Sequence, residues 1–372
     1  MSGDGPAGLR GAVRALLGRG GPPRKWRATA DAVARGEAVW HPARPAEAAV
    51  CAPAAVHGGG VMEWSGPVAD TFPALGVVEI AGAALAGPHG WAFTRGGHLL
   101  PELTWFGGDV AAMRLPRSRE TERLRGVCLS LASDSASRNY SHFLLDALPR
   151  LGVFLDAGFA LSAMDHVLCP VPPSANAERI LGRAGIDPAR IVWARPGVSY
   201  RPDVALVPAF PGLRRNVPAW VPAFLRGMMA PLPPPSGRRL WVTRRGGQRT
   251  IANEAEIEPV LARHGFEVYE PGSHPDQPED FASASVVAGP HGAALSNLAF
   301  CAPETAVLEV VPSDHRYPHY YSLSCAAGLR YACLPAPSAG TRPAGTAGPS
   351  PFDCTVDPVA LDDALWRLTD GP

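Results

Sequence analysis

The sequence predicts an α/β protein of two doubly wound units, and three observations carry that reading. Short apolar, strand-like segments alternate with amphipathic helical ones from Leu124 to Pro235. The same alternation recurs more regularly over 236–336, and a proline run at Pro231–Pro235 separates the two series. Alternation of this kind implies parallel strands joined by crossover helices, and a proline run is a stiff spacer. The 372 residues also exceed what one hydrophobic core usually serves.

In chain order, residues 1–30 read as a flexible basic N-terminus with one short helical candidate, "GLRGAVRALLG". Its Leu9, Val13, Leu16 and Leu17 fall on one side and Arg10 and Arg14 on another, a pattern able to touch an anionic membrane surface peripherally. An N-terminal domain is expected over 31–235, beginning with a small β-rich region. From Trp40 to Gly108 the apolar pieces are broken by Gly and Pro, with Gly96-Gly97 as a hairpin tip, and His57, His89 and His98 lie at no metal-ligand spacing. The strand "GVCLSLA", a helix starting near Tyr140, "HVLCPV", the helical "SANAERILGRAG", "RIVWAR" and "DVALVPAF" complete this domain.

The C-terminal domain, 236–336, reads as strand "RRLWVTRR", helix "NEAEIEPVLARHG", strand "FEVYEP", helix "PEDFASA", strand "SVVAGP", helix "GAALSNLAFC", strand "TAVLEVVP", helix "HYYSLSCAAG" and strand "RYACLPA". Asn253 with Glu256 three residues later is a capping-box signature, and Gly265 stands where a helix-ending glycine belongs. Residues 337–372 are a tail whose "VDPVALDDALWRL" is a terminal helix, expected to pack back across the other domain.

Composition narrows the function. A hydrophobic content of 46% with 18% charged is globular, and a formal net charge of zero argues against nucleic-acid binding by bulk electrostatics. The seven cysteines are scattered with no C-x-x-C, as in a reducing compartment. No signal peptide is evident, so a cytoplasmic location is expected, with the inner face of the membrane as a possible contact of the basic N-terminus.

Three constellations carry chemistry. In "SVVAGPHGAALSN" a strand runs through Gly289-Pro290-His291-Gly292 into a helix containing Asn297, which aims free N–H groups at an anion beyond the strand end. It is not a dinucleotide fingerprint, and a mononucleotide sugar fits better. In "LWVTRRGGQR", Thr243, Arg244 and Arg245 stand at the carboxyl end of a strand, where open α/β sheets bind ligands and where arginine forks recognise phosphate. Glu309, inside the apolar "TAVLEVVP", needs partners if buried: a ribose or sugar hydroxyl pair, or a core arginine. Finally, "SRNYSHFLLDALPRL" sets His142 and Asp146 four apart on one helical face, with Asn139 or Ser137 as cap and Pro149 as stop. A general base needs such a carboxylate or imidazole on a rigid element.

Taken together, "NYSHFLLDALPRL", "LWVTRRGGQRTIANEAEIEPVLARHGFEVYEP" and "SVVAGPHGAALSNLAFCAPETAVLEVVP" resemble the family-61 glycosyltransferases, whose bacterial members are often described as capsular polysaccharide biosynthesis proteins. The resemblance runs from Gly126 to Pro312. It implies a GT-B architecture, two Rossmann-like domains facing a cleft, and inverting transfer of a sugar from a nucleotide sugar, usually a UDP-sugar, to a glycan or lipid-linked glycan hydroxyl. Asp146 is the first choice as base, with His142 orienting it or exchanging roles with it, and Asn139 and Tyr140 lie on the acceptor side. Arg244, Arg245, His291 and the helix start at Gly292 would stabilise the leaving diphosphate. With those cations no metal or other cofactor is expected, and no D-x-D motif is evident. Where the family often has an aromatic before the histidine, this chain has Ser141. Two other readings stay open: a nucleotide-sugar epimerase, and a non-catalytic partner subunit of a polysaccharide assembly complex.

Overall fold

The structure is a computed structural model, and it describes residues 25–49, 51–104, 110, 115, 118–213, 216–341 and 350–369. The amphipathic N-terminal segment lies outside the described residues. Contacts divide the chain into two units: 1–44, 75–138 and 150–210 form the first, and 45–74, 139–149 and 211–372 the second. The division is discontinuous, unlike the contiguous domains read from the sequence.

The first unit is built on a mixed sheet. Its strands are β1 (Val39–Arg44), β2 (Leu75–Ala81), β3 (Ala84–Ala86), β4 (Trp91–Phe93), β5 (Glu120–Ser130), β6 (His166–Cys169), β7 (Ile191–Trp193) and β8 (Val198–Pro208). The sheet order is β1-β2-β8-β5-β6-β7, and β3 pairs with both β8 and β4. Only β8, β5, β6 and β7 run parallel; β1 and β2 join antiparallel. The doubly wound pattern expected here is therefore only half realised, because the β-rich N-terminal region supplies strands to the same sheet. The ladder between β5 and β8 slips at Pro202/Val204. There Gly126 adopts φ +91° and donates its N–H to Asp203 at 2.7 Å, a bulge that only glycine makes without strain. Val78, Ile80, Leu85, Leu124, Tyr200 and Val207 form the core beneath.

The second unit carries β9 (Arg238–Val242), β10 (Glu267–Tyr269), β11 (Ala284–Pro290), β12 (Ala306–Pro312) and β13 (Arg330–Ala336). They run parallel in the order β10-β9-β11-β12-β13, with Ala55–Val56 added parallel at the β13 edge. In chain rank this is 2-1-3-4-5, a doubly wound order whose switch point lies between β9 and β11. β12 is buried at every position, as a strand covered on both faces must be. Helices α1 (Glu254–Arg263) and α4 (Pro358–Thr369) pack together, and Ile257, Leu261, Leu361 and Leu365 share a core with Trp241, Val286 and Leu308. The terminal helix α4 thus covers its own unit's sheet, not the other domain as expected. Helix α2 (Gln277–Ser283) precedes β11, and α3 (His319–Ala327) precedes β13.

Two local expectations change. Asn253 precedes α1 but does not cap it with its side chain: the Nδ2 group donates to the Val356 carbonyl at 2.8 Å, and Oδ1 accepts from the Val356 N–H at 3.0 Å. The capping residue is used to fasten the tail. Gly265 does end α1 at φ +69°. The segment after Gly292 is a 3-10 helix, Ala293–Phe300, where an α-helix was expected. Among the described residues no helix is long and apolar enough to cross a membrane.

Candidate functional site

The switch point gathers the candidate donor residues. β9 ends at Val242 and delivers Thr243 and Arg244; the neighbouring β11 ends in Gly289-Pro290 and delivers His291 and Gly292. The two strands approach so closely that a Cβ on Gly289 would sit 2.6 Å from the Val242 carbonyl oxygen. Glycine is required here by packing, and that proximity sets the two loops side by side.

Arg244 reaches across to the β11 loop. Its Nη1 donates to the His291 carbonyl at 3.2 Å and its Nε to the Gln248 carbonyl at 2.9 Å. Among the described residues no carboxylate pairs with it. Burial pushes its pKa down from the ordinary arginine value, with Tyr320 and Cys354 acting the other way. A desolvated guanidinium held only by carbonyls favours an incoming anion, because that anion supplies the missing counter-charge.

Its neighbour Arg245 behaves differently. It is exposed and turned onto α1, with Nε donating to Glu254 at 2.7 Å and Nη2 to Glu258 at 2.5 Å. Thr243 Oγ1 also donates to Glu254, at 2.6 Å, as does Trp241 Nε1 at 3.1 Å. Thr243 and Arg245 therefore brace the loop on α1, and adjacency in sequence concealed that only one of the two arginines carries uncompensated charge.

His291 is buried at 4% exposure and Glu309 at 0%. The Nδ1–H of His291 donates to Glu309 Oε1 at 2.5 Å, and the Tyr331 hydroxyl donates to Oε2 at 2.6 Å. Both carboxylate oxygens are thus occupied by protein, and neither of the partners expected for Glu309, a sugar diol or a core arginine, is needed. Burial first, and the Glu309 charge second, push the Tyr331 phenol up, so it stays a donor. Glu309 acts on the site through His291, whose tautomer and ring plane it fixes. The ring also meets His315 and Tyr320, each with centroids 4.9 Å away.

The segment expected to belong to the first domain groups with this unit. Asn139 caps a turn of helix at Tyr140–His142 by accepting from the Ser141 N–H at 2.9 Å, and the helix continues as a π-helical stretch, Phe143–Ala147. Within it His142 Nδ1 donates to Asp146 Oδ2 at 2.5 Å. Such π-helical insertions are uncommon and recur at functional sites. The Tyr140 hydroxyl donates to Asn297 Oδ1 at 2.8 Å, while Asn297 Nδ2 donates to Gln277 at 2.8 Å. Ser141 hydrogen-bonds to the phenol of Tyr320, whose pKa burial pushes up. Tyr320 therefore meets His291 with its ring and, through Ser141, the helix that carries His142 with its hydroxyl.

Tyr320, Tyr331 and Gln277 were not singled out from the sequence. The one available signal was the need of a buried Glu309 for donors, which does not say where in the chain they stand. A pocket of about 370 Å³ in this unit, lined by Asn253, Leu334, Thr355 and Pro358 among others, has none of these groups in its lining.

With the geometry in hand, comparison with known proteins gives two findings. A family profile described as Glycosyltransferase 61 matches residues 140–308. That span begins at Tyr140 and ends one residue before Glu309, and it contains both strand ends of the switch point. A curated relative, Beta-1,2-xylosyltransferase RCN11 of Oryza sativa subsp. japonica, is 41% identical over 59 residues. The match covers 16% of this chain and 11% of the rice protein, so the chain spans about a tenth of that relative's length.

Proposed function

We propose, from the premise that residues 140–308 are a glycosyltransferase family 61 region, that the protein is an inverting glycosyltransferase in polysaccharide biosynthesis. It moves a sugar from a nucleotide sugar, a UDP-sugar in our reading, to a glycan hydroxyl, with the two units arranged as a GT-B pair. The observation that carries the reading is the uncompensated Arg244 beside His291 and Gly292 at the switch point of a parallel sheet. Our reading places the enzyme in the cytoplasm, in keeping with seven free cysteines.

The donor diphosphate lies against Arg244, with His291 Nε2 and the N–H groups after Gly292 as further donors, and these groups stabilise the charge that develops as the nucleotide leaves. Asp146 accepts the Nδ1 hydrogen of His142 and so fixes its tautomer, which supports the imidazole Nε2 as the atom that takes the acceptor proton. The acceptor oxygen then attacks the anomeric carbon from the face opposite the diphosphate, the carbon–oxygen bond to the diphosphate breaks, and configuration inverts. The relative's printed name also makes a pentose such as xylose a candidate donor sugar.

The test is calorimetric titration of the protein with UDP and a panel of nucleotide sugars, repeated on Arg244→Ala and His291→Ala. Binding that weakens at least about tenfold in both variants supports the donor site. Binding of equal strength in all three proteins, or none to any nucleotide, overturns it.

A further inference from the structure

The first unit contains a groove that the transfer reaction does not use. Its floor is one face of the sheet. Strand alternation puts Trp91 and Phe93 of β4, Ser199 and Arg201 of β8 and Thr121 of β5 on that face, while Leu85, Ala92 and Tyr200 turn into the core on the other. The turn after β4 closes one wall with Arg95, and the cavity is about 470 Å³. Ser199 and Thr121 stand at the amino ends of parallel strands, the opposite end from the carboxyl edge where open α/β sheets bind substrates.

Two features ask for a ligand. Arg95 and Arg201 are exposed, and among the described residues no carboxylate pairs with either. By contrast Arg123, the next residue of β5 on the same face, pairs with Asp203 at 2.5 Å. Beneath them Trp91, 3% exposed and stacked on His89 at 4.8 Å, has its indole N–H buried with no acceptor. A buried donor left without an acceptor is costly, and an oxygen entering the groove would satisfy it. The half-buried Phe93, small hydroxyls and two arginine forks around one concavity match a sugar ring that carries an anionic group.

We propose that this groove is a second carbohydrate site, distinct from the donor site, which holds an acidic sugar residue of the glycan. A uronate carboxylate or a sulfate or phosphate ester offers the same chemistry to the two arginines. The preference for an anion rests on the groove alone; the choice of a glycan rests on the transferase reading.

The experiment titrates the full chain with an oligogalacturonide, a sulfated oligosaccharide, a neutral dextran oligosaccharide and inorganic phosphate, then repeats the series with Arg95→Ala, Arg201→Ala and Trp91→Phe. The expected result is binding of one or both acidic oligosaccharides, weakened about tenfold in each arginine variant and several-fold in Trp91→Phe. Neutral oligosaccharide does not bind, and UDP binding is unchanged throughout. Which acidic oligosaccharide binds identifies the anion. Equal affinity in wild type and variants, no acidic binding, or phosphate binding as tightly as the oligosaccharides overturns the proposal. Loss of UDP binding elsewhere leaves this outcome readable, because the two sites are titrated separately.

Discussion

The guanidinium of Arg244 lies across Gly292 so closely that a Cβ on the glycine would sit 1.9 Å from Nη1. Gly292 has an extended backbone, φ −171°, which alanine adopts without strain. Gly292→Ala should therefore fold normally and displace only the arginine. The expected outcome is thermal stability within about 0.5 kcal/mol of wild type with UDP affinity lowered about tenfold or more. Calorimetry and a thermal melt on the same sample check it; unchanged affinity would separate Arg244 from the donor site.

The His142–Asp146 pair predicts a different split. Asp146→Asn keeps the shape of the side chain but no longer enforces the imidazole tautomer, so kcat should fall by about two to four orders of magnitude. His142→Gln should fall similarly. Donor KM and UDP affinity should stay near wild type in both, because neither residue touches the phosphate loops in the proposed mechanism. Steady-state kinetics with saturating acceptor decides the point.

Much of the second unit was legible in the sequence because parallel strands buried on both faces read as apolar runs. "SVVAGP" and "TAVLEVVP" became β11 and β12 at nearly their expected bounds. The first unit was less legible, since nothing local in β1 and β2 says that they join the sheet of β5 and β8 from the antiparallel side. At the site, position was readable and pairing was not. Thr243-Arg244-Arg245 were placed correctly at a strand end, yet Glu254 and Glu258, which withdraw Arg245, lie a helix away. Likewise 139–149 group with the second unit through contacts such as Tyr140–Asn297, between residues 157 apart.

Glu309 is the residue on which the interior of the site depends. Glu309→Ala would leave the His291 Nδ1–H and the Tyr331 hydroxyl buried without acceptors, a loss of about 1–3 kcal/mol for each donor. Glu309→Gln retains one acceptor oxygen and should lose less. Chemical denaturation should rank wild type, Gln and Ala in that order. UDP affinity should fall in the Gln variant as well, because His291 no longer has a fixed ring plane.

The loop after β9 should also report on acidity through Glu254. Burial works to raise the pKa of this carboxyl, but hydrogen bonds from Thr243, Trp241 and Arg245 outweigh it and hold the group below its ordinary value of 4.5. A carboxyl whose pKa is depressed by folding contributes stability that is present above the unfolded pKa and is lost as pH falls through the folded one. Wild type should therefore be more stable than Glu254→Gln at neutral pH, by no more than about 1 kcal/mol since the group is partly screened by solvent. The gap should close as pH is lowered beneath the ordinary carboxyl value of 4.5 and through the depressed folded one. Thermal melts of both proteins across that range test the sign. A gap that widens toward acid would mean that Glu254 is protonated in the fold, and the bracing of Thr243 and Arg245 would then need another account.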